Sequence, residues 1–199
     1  MSALALPRDL RLVPLSADWA TDVVRWRNAP ENRRFFLSGD ELTLAGQLAW
    51  TERQRHDPRD HTFIALSEEV SVGMVGIYGI DPGSRSAEYG RILIDPGWRR
   101  RGLGRAVTGL ALAHGFAALD LDLIFANCLS DNLPILALLQ ELGFQPTGRW
   151  RHDALDREVT RLELPAPAWE ASPWGRVCTS EVAQRVKPKE RADPAGGAM

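Results

Sequence analysis

A chain of 199 residues with 44% hydrophobic and 25% charged residues has ordinary globular composition and is long enough for one substantial core. Its formal charge of −2 excludes an overall electrostatic case for nucleic acid or an anionic membrane, and its two cysteines, Cys128 and Cys178, are too few for a disulfide scaffold and read as free thiols. No run reaches the roughly 20 apolar residues of a membrane span, and an N-terminus carrying Asp9 and Arg11 lacks the apolar core of a secretory signal, so a cytoplasmic protein is expected.

In chain order, residues 10–15 alternate loosely and predict a first strand. Ser16 then offers an N-cap to a helix through Trp19, Val23, Val24 and Arg27, which Pro30 should interrupt. Thr43 caps a second helical stretch to about Gln54, with Leu44 and Leu48 on its apolar side and Trp50 flanking it. The segment HDPRDH at 56–61 reads as a polar surface loop; its metal-capable side chains match no ligand spacing. Residues 61–94 predict an antiparallel meander of three strands, broken by the turn chemistry of Asp81-Pro82-Gly83-Ser84. From Leu103 the period turns helical, with His114 on that helix lacking an evident acid–base partner. A strand over 121–126 follows, with Cys128 after it read as a small core residue. A helix started by Asp131 or Asn132 with Pro134 in its first turn comes next, and a last pair of strands ends near Leu164. Beyond it, prolines at 165, 167, 173, 188 and 194 argue against a packed element; Trp169 and Trp174 can still anchor the start of this tail, and residues 187–199 are expected to be disordered.

The informative stretch is PGWRRRGLGRAVTG at 96–109, where a strand over 86–94 meets Gly102 and Gly104 at the start of a helix. Glycine lets backbone approach a ligand closely, and free N–H groups at a helix start attract an anion. With Arg99, Arg100 and Arg101 at the mouth, a diphosphate is the expected guest. The stretch lacks the Gly-Lys-Ser/Thr ending of a nucleotide-triphosphate loop, and Val107 departs from GxGxxG. A solvated arginine run with glycines that only shape a turn stays open on local composition alone.

Arg99-Arg100-Arg101-Gly102-Leu103-Gly104 resembles the Arg/Gln-x-x-Gly-x-Gly/Ala acyl-CoA loop of the GNAT superfamily of N-acetyltransferases. Residues 87–116 resemble its fourth strand, loop and third helix. Asn132, followed by Gly143-Phe144, resembles its closing Asn…Gly-Phe block. Residues 10–36 are similar to the start of the branch that acetylates ribosomal-protein N-termini and amino sugars. The resemblance implies an α/β, GNAT-like fold with a splayed central mixed β-sheet flanked by helices over residues 1–164, followed by a Pro/Ala-rich extension over 165–199. It implies acetyl-CoA as donor, CoA as product, and a primary amine as acceptor, on a peptide N-terminus, an amino sugar or another small molecule. A catalytically inactive acyl-CoA-binding module is the alternative. No nucleic acid or membrane partner is expected; a homodimer is in keeping with such folds.

The resemblance also implies roles. Main chain at Leu93 and Ile94 would meet the amides of the pantetheine arm, N–H groups of residues 100–104, Leu103 among them, would hold the pyrophosphate beside Arg99, Arg100 and Arg101, and Asn132 would face the arm. Many members carry a proton-donating Tyr seven residues after that Asn; Leu139 stands there and cannot donate. Glu88 is the first candidate base and Tyr89 a weaker candidate for substrate or acid contact, while strand alternation puts Glu88, Gly90, Ile92 and Ile94 on one side. Trp26, Arg27, Asn28, Arg33 and Phe35, with Arg34 and Phe36, occupy the region that lines the acceptor mouth in similar enzymes. No metal is implied.

Overall fold

The computed structural model describes residues 5–36 and 41–189. Strands β1 (Arg11–Pro14), β2 (Asp60–Ser67), β3 (Val70–Asp81), β4 (Ser86–Ile94), β5 (Leu123–Leu129), β6 (Gln145–His152) and β7 (Arg157–Pro165) form one sheet in the order β1-β2-β3-β4-β5-β7-β6. Every neighbouring pair is antiparallel except β4 and β5. This is the mixed, splayed sheet expected.

Helices α1 (Ala20–Asn28), α2 (Pro30–Arg33) and α3 (Leu44–Arg55) cover one face; α4 (Leu103–Ala117) covers the other, and α5 (Leu133–Glu141) follows β5. Pro30 does separate α1 from α2, and Thr43 caps α3 by accepting from the Gly46 N–H at 3.0 Å. Alternation along the strands feeds two cores. Phe63, Val75, Ile77, Ala87 and Tyr89 pack toward α4, while Ile64, Leu66, Met74 and Leu93 pack toward Val23 and Trp26 of α1.

Tyr89 and Leu93 share parity yet lie in different cores. From Met74 to Gly76, β3 advances two residues while β4 goes from Leu93 to Gly90, three, so β4 carries one surplus residue. Arg91 takes it up with a left-handed backbone (φ 56°), a bulge that reverses the facing of residues 92–94. The expected alternation is therefore corrected: Ile92 and Ile94 pack against the α4 core, opposite to the face that Glu88 shares with Tyr78 and Arg91.

Three other expectations change. Leu44 and Leu48 point outward, and α3 buries Gln47 and Thr51 instead, joined by a 3.1 Å hydrogen bond. The segment 56–61 is not all surface. Asp60 is buried against Arg91 and Thr62, and His61 Nδ1 sits 3.0 Å from Nε2 of His114, which has a partner after all. The tail forms α6 (Ala166–Ala171) and α7 (Pro173–Arg185), and α7 packs along α4. Pro167 and Pro173, read as breakers, instead occupy first turns, where a missing N–H costs nothing; Ser172 caps α7 by accepting from the Gly175 N–H at 2.8 Å. Trp169 is fully buried and stacked on Phe116. A Cβ on Gly109 of α4 would lie 2.6 Å from Cys178 Sγ of α7, so glycine permits this close approach. The tail runs on beside β1, with Val186 bridged to Leu12, and Lys189 Nζ donates to the carbonyls of Gln54, Asp57 and Asp60 at 2.5–2.7 Å. The extension expected from residue 165 thus packs on the same core as far as Val186; residues 190–199 lie outside the described residues. No described helix is long and apolar enough to cross a membrane.

Candidate active site

A cavity of about 950 Å3 opens where β4 leaves β5. The two strands are in register only from Ser86 to Glu88 against Leu123 to Phe125. Beyond that fork β4 stays with β3 and β5 stays with β7, so the main chain of residues 90–94 faces that of residues 127–128 across a gap. Such facing edges accept an added extended chain bearing amides. The Asn127 Oδ1 in this wall is buried without a hydrogen-bond partner among the described residues, leaving an acceptor for an incoming N–H.

At the other end of the cavity the loop after β4 is anchored by Asp95. Its Oδ1 accepts from the Gly97 N–H and its Oδ2 from Trp26 Nε1 and Arg25, each at 2.8 Å. Burial pushes this carboxyl up, but these bonds win and hold it below its ordinary value. The chain then takes left-handed backbone at Arg100 (φ 59°) and Gly102 (φ 78°). The first α4 ladder bond runs from the Ala106 N–H to the Gly102 carbonyl. The N–H groups of Leu103, Gly104 and Arg105 therefore precede the ladder at the positive end of the helix. A Cβ at Gly102 would meet nothing within 4 Å; its positive φ is what requires glycine. Arg100 and Arg105 line the cavity here. A cradle of N–H donors, flanking guanidinium groups and an unpaired strand gap fit the linked phosphates and the amide arm of an acyl-CoA.

At the fork, Glu88 is half-buried, accepts from Asn127 Nδ2 at 3.2 Å and has the Tyr78 hydroxyl nearby. Burial raises its carboxyl above the ordinary value, with Tyr78 and Asn127 pulling the other way. Arg91 lies beneath, its guanidinium 3.9 Å from the Tyr78 ring centre and bonded to Asp60 at 2.5 Å.

Of the expected cofactor-side residues, Leu93, Ile94, Arg99, Arg100, Gly102, Leu103, Gly104 and Asn132 line the cavity. The Asn132 side chain makes no capping bond to α5. Two arginines differ from expectation. Arg99 turns inward, donating to the Ile94 carbonyl at 3.2 Å and to Asn32 Oδ1, and Arg101 stacks on Trp98 outside the lining.

On the acceptor side only Phe35 of the five named residues lines the cavity. Trp26 is fully buried beneath Asp95. Arg27 is buried over the Phe36 ring, its centre 3.4 Å away. Asn28 exchanges hydrogen bonds with Leu42, and Arg33 faces Glu41 at 3.8 Å. Tyr89 contributes to the wall, but its hydroxyl is spent in the core on Thr108 Oγ1 at 2.8 Å. Cys128, expected in the core, reaches the cavity with its thiol pushed up to about 12 by burial.

Sequence reasoning missed Tyr78, Arg91, Asn127 and Arg105. For Tyr78 a signal existed: folding the hairpin about residues 82–85 brings it opposite Glu88. Among the described residues no group of three or more His, Cys, Asp or Glu is arranged to hold a metal ion.

Residues 9–145 match the family model of the acetyltransferase (GNAT) domain. The chain belongs to the GNAT acetyltransferase family. Among curated relatives, the spermidine N(1)-acetyltransferase of Escherichia coli K12 is 26% identical over 102 residues, 51% of this chain and 54% of the relative. The chain thus spans about half the length of the first curated relatives it matches. The α/β-tubulin-N-acetyltransferase 9 of Mus musculus is 26% identical over 201 aligned residues, 92% of this chain and 79% of the relative. The same GNAT fold appears in the spermidine N-acetyltransferase of Vibrio cholerae, solved with CoA and spermine, at a TM-score of 0.75 and 19% identity over 82% of this chain and 99% of that one. The ribosomal-protein and amino-sugar branch expected from residues 10–36 gives way here, because these relatives are named for polyamines and tubulin.

Proposed function

We propose that this GNAT protein transfers the acetyl group of acetyl-CoA to a primary amine, with a polyamine as the acceptor class. The observation that carries the reading is the continuity of one cavity from the N–H cradle of α4, along the β4–β5 gap, to a half-buried carboxylate at the fork. The names of the Escherichia coli and Vibrio cholerae relatives support the acceptor class, as do Glu31 and Glu88 in the lining, which suit a chain bearing several ammonium groups.

When bound, acetyl-CoA supplies an activated acyl carbon and a thiolate leaving group. The N–H groups of Leu103, Gly104 and Arg105 bind its phosphates with Arg100, and residues 90–94 with Asn127 orient the arm so that its end lies at the fork. Glu88 removes a proton from the incoming ammonium, so that a neutral nitrogen attacks in place. A carboxyl raised by burial is a better base than an exposed one, at the cost of staying protonated to higher pH.

The test is release of CoA thiol from acetyl-CoA with spermidine, spermine, simple diamines and lysine-bearing peptides. Turnover is expected with the polyamines. Turnover confined to peptides would overturn the acceptor class, and CoA binding without any turnover would overturn the enzyme reading. Glu88→Gln is expected to lower kcat by about a hundredfold while leaving CoA affinity near wild type. It should also erase the acid limb of the kcat/KM profile, where rate falls as pH drops through the raised carboxyl pKa; identical profiles in the two proteins would remove Glu88 from the role of base.

A further inference from the structure

Acylating an amine from a thioester moves one proton from nitrogen toward sulfur. The nitrogen lone pair forms the new N–C bond, the C–S pair leaves with sulfur, and the amide nitrogen sheds a proton. A group placed at the fork between Glu88 and the thioester would complete that transfer inside the site. On α5, Leu139 is fully buried in the core and has no proton to give.

The chain has two tyrosines, and Tyr89 is committed to Thr108. The geometry points to Tyr78 as the catalytic proton donor to the departing thiolate, working as a relay with Glu88; this rests on the acetyl-transfer reading above. Four observations carry the assignment. Tyr78 lines the cavity. It is the register partner of Glu88, the last β4 residue paired with β5, so it stands at the fork itself. Its hydroxyl stands near enough to the Glu88 carboxylate to favour the charged form. The hydroxyl also lies over Gly90, the first residue past that carboxylate on the same face of β4: a Cβ at Gly90 would come within 2.6 Å of it. Gly90 thus vacates the space that lets a phenol on β3 reach across β4 toward the gap. The Arg91 guanidinium against the ring fixes its plane.

The competing donors at the cavity are poorer. No histidine lines it, arginine does not give up a proton in proteins, and Cys128 offers only the weak S–H donor of a thiol. The relay balances. Glu88 hands the proton drawn from the ammonium to solvent before the attack, then takes the second proton that nitrogen sheds as the amide forms; Tyr78 gives its hydroxyl proton to sulfur, and the proton on Glu88 passes to the Tyr78 oxygen. Both residues end as they began.

Tyr78→Phe keeps the ring under Arg91 and removes only the hydroxyl. The expected result is a fall in kcat of about a hundredfold, unchanged CoA affinity in a binding assay, and partial recovery of the rate as the concentration of a small buffer acid is raised at fixed pH, a recovery the wild type does not show. Gly90→Ala should displace the hydroxyl and lower kcat in the wild-type background, yet add little in the Tyr78→Phe background. A Phe variant as fast as wild type overturns the assignment while leaving acetyl transfer intact. So does a variant that loses CoA affinity in step with rate and gains nothing from buffer acid, since that marks a structural role. A wild type that binds CoA but turns over no amine overturns the acetyl-transfer reading and this assignment with it.

Discussion

Acid should loosen this fold through the buried His61–His114 pair before it reaches most carboxylates. Burial, then the neighbouring His61, lowers His114 to about 4 from an ordinary 6.5, and burial lowers His61 in the same direction. Because the folded pKa of His114 lies below the unfolded one, protons bind the unfolded chain better. The stability contributed by a neutral His114 is full above pH 6.5, is lost as pH falls from there toward 4, and stays lost below 4. At about 1.4 kcal/mol per pH unit, the interval amounts to about 3 kcal/mol, of which about 2 kcal/mol disappears between pH 7 and pH 5. Urea denaturation at those two pH values measures the difference in wild type and in His114→Gln. The variant should be less stable at pH 7, having lost the edge-on contact of His114 with Phe63, but should lose about 2 kcal/mol less on going to pH 5. Equal losses in the two proteins would refute a neutral, buried His114.

Two further outcomes are expected. Gly109→Ala should cost about 1–3 kcal/mol in urea unfolding, because its Cβ meets Cys178 Sγ at 2.6 Å, and pairing it with Cys178→Ala should recover much of that cost; additive losses would contradict the α4–α7 approach. Arg100→Ala should weaken CoA binding by about tenfold and flatten its salt dependence, whereas Arg101→Ala, stacked on Trp98 outside the cavity, should leave CoA affinity unchanged; the reverse ranking by calorimetry would refute the side-chain placement around the cradle.

The sheet and the cradle could be read from local sequence because local chemistry decides them. Asp81 through Ser84 make a turn whatever surrounds them, and Gly102 occupies a backbone conformation few other residues reach. What escaped depends on partners distant in the chain. Trp26 looks like a mouth residue until its indole is seen donating to Asp95, 69 positions on. Leu44 and Leu48 have the spacing of a buried stripe, yet the sheet offers α3 a polar floor of Asp60, Thr62 and Arg91, to which Trp50 turns instead. Pro167 and Pro173 break a helix only in its interior, and composition could not tell that they start α6 and α7. The surplus residue in β4 was invisible for a similar reason, since Arg91 is not a residue that announces left-handed backbone.

That surplus has a counterpart. Between Tyr78 and Asp81, β3 advances three residues while β4 goes from Glu88 to Ser86, two, with Gly79 left-handed at φ 61°. The three register pairs from Gly76–Gly90 to Tyr78–Glu88 are thus bracketed by an irregularity on each side, one per strand. They form a cassette whose alignment is insulated both from the hairpin tip and from the wall of the gap. Lengthening the tip at residues 82–85 would leave the cassette in place, whereas removing one residue at Arg91 would turn the wall inside out. The fold can therefore exchange the side chains at the fork without recutting the groove beside it.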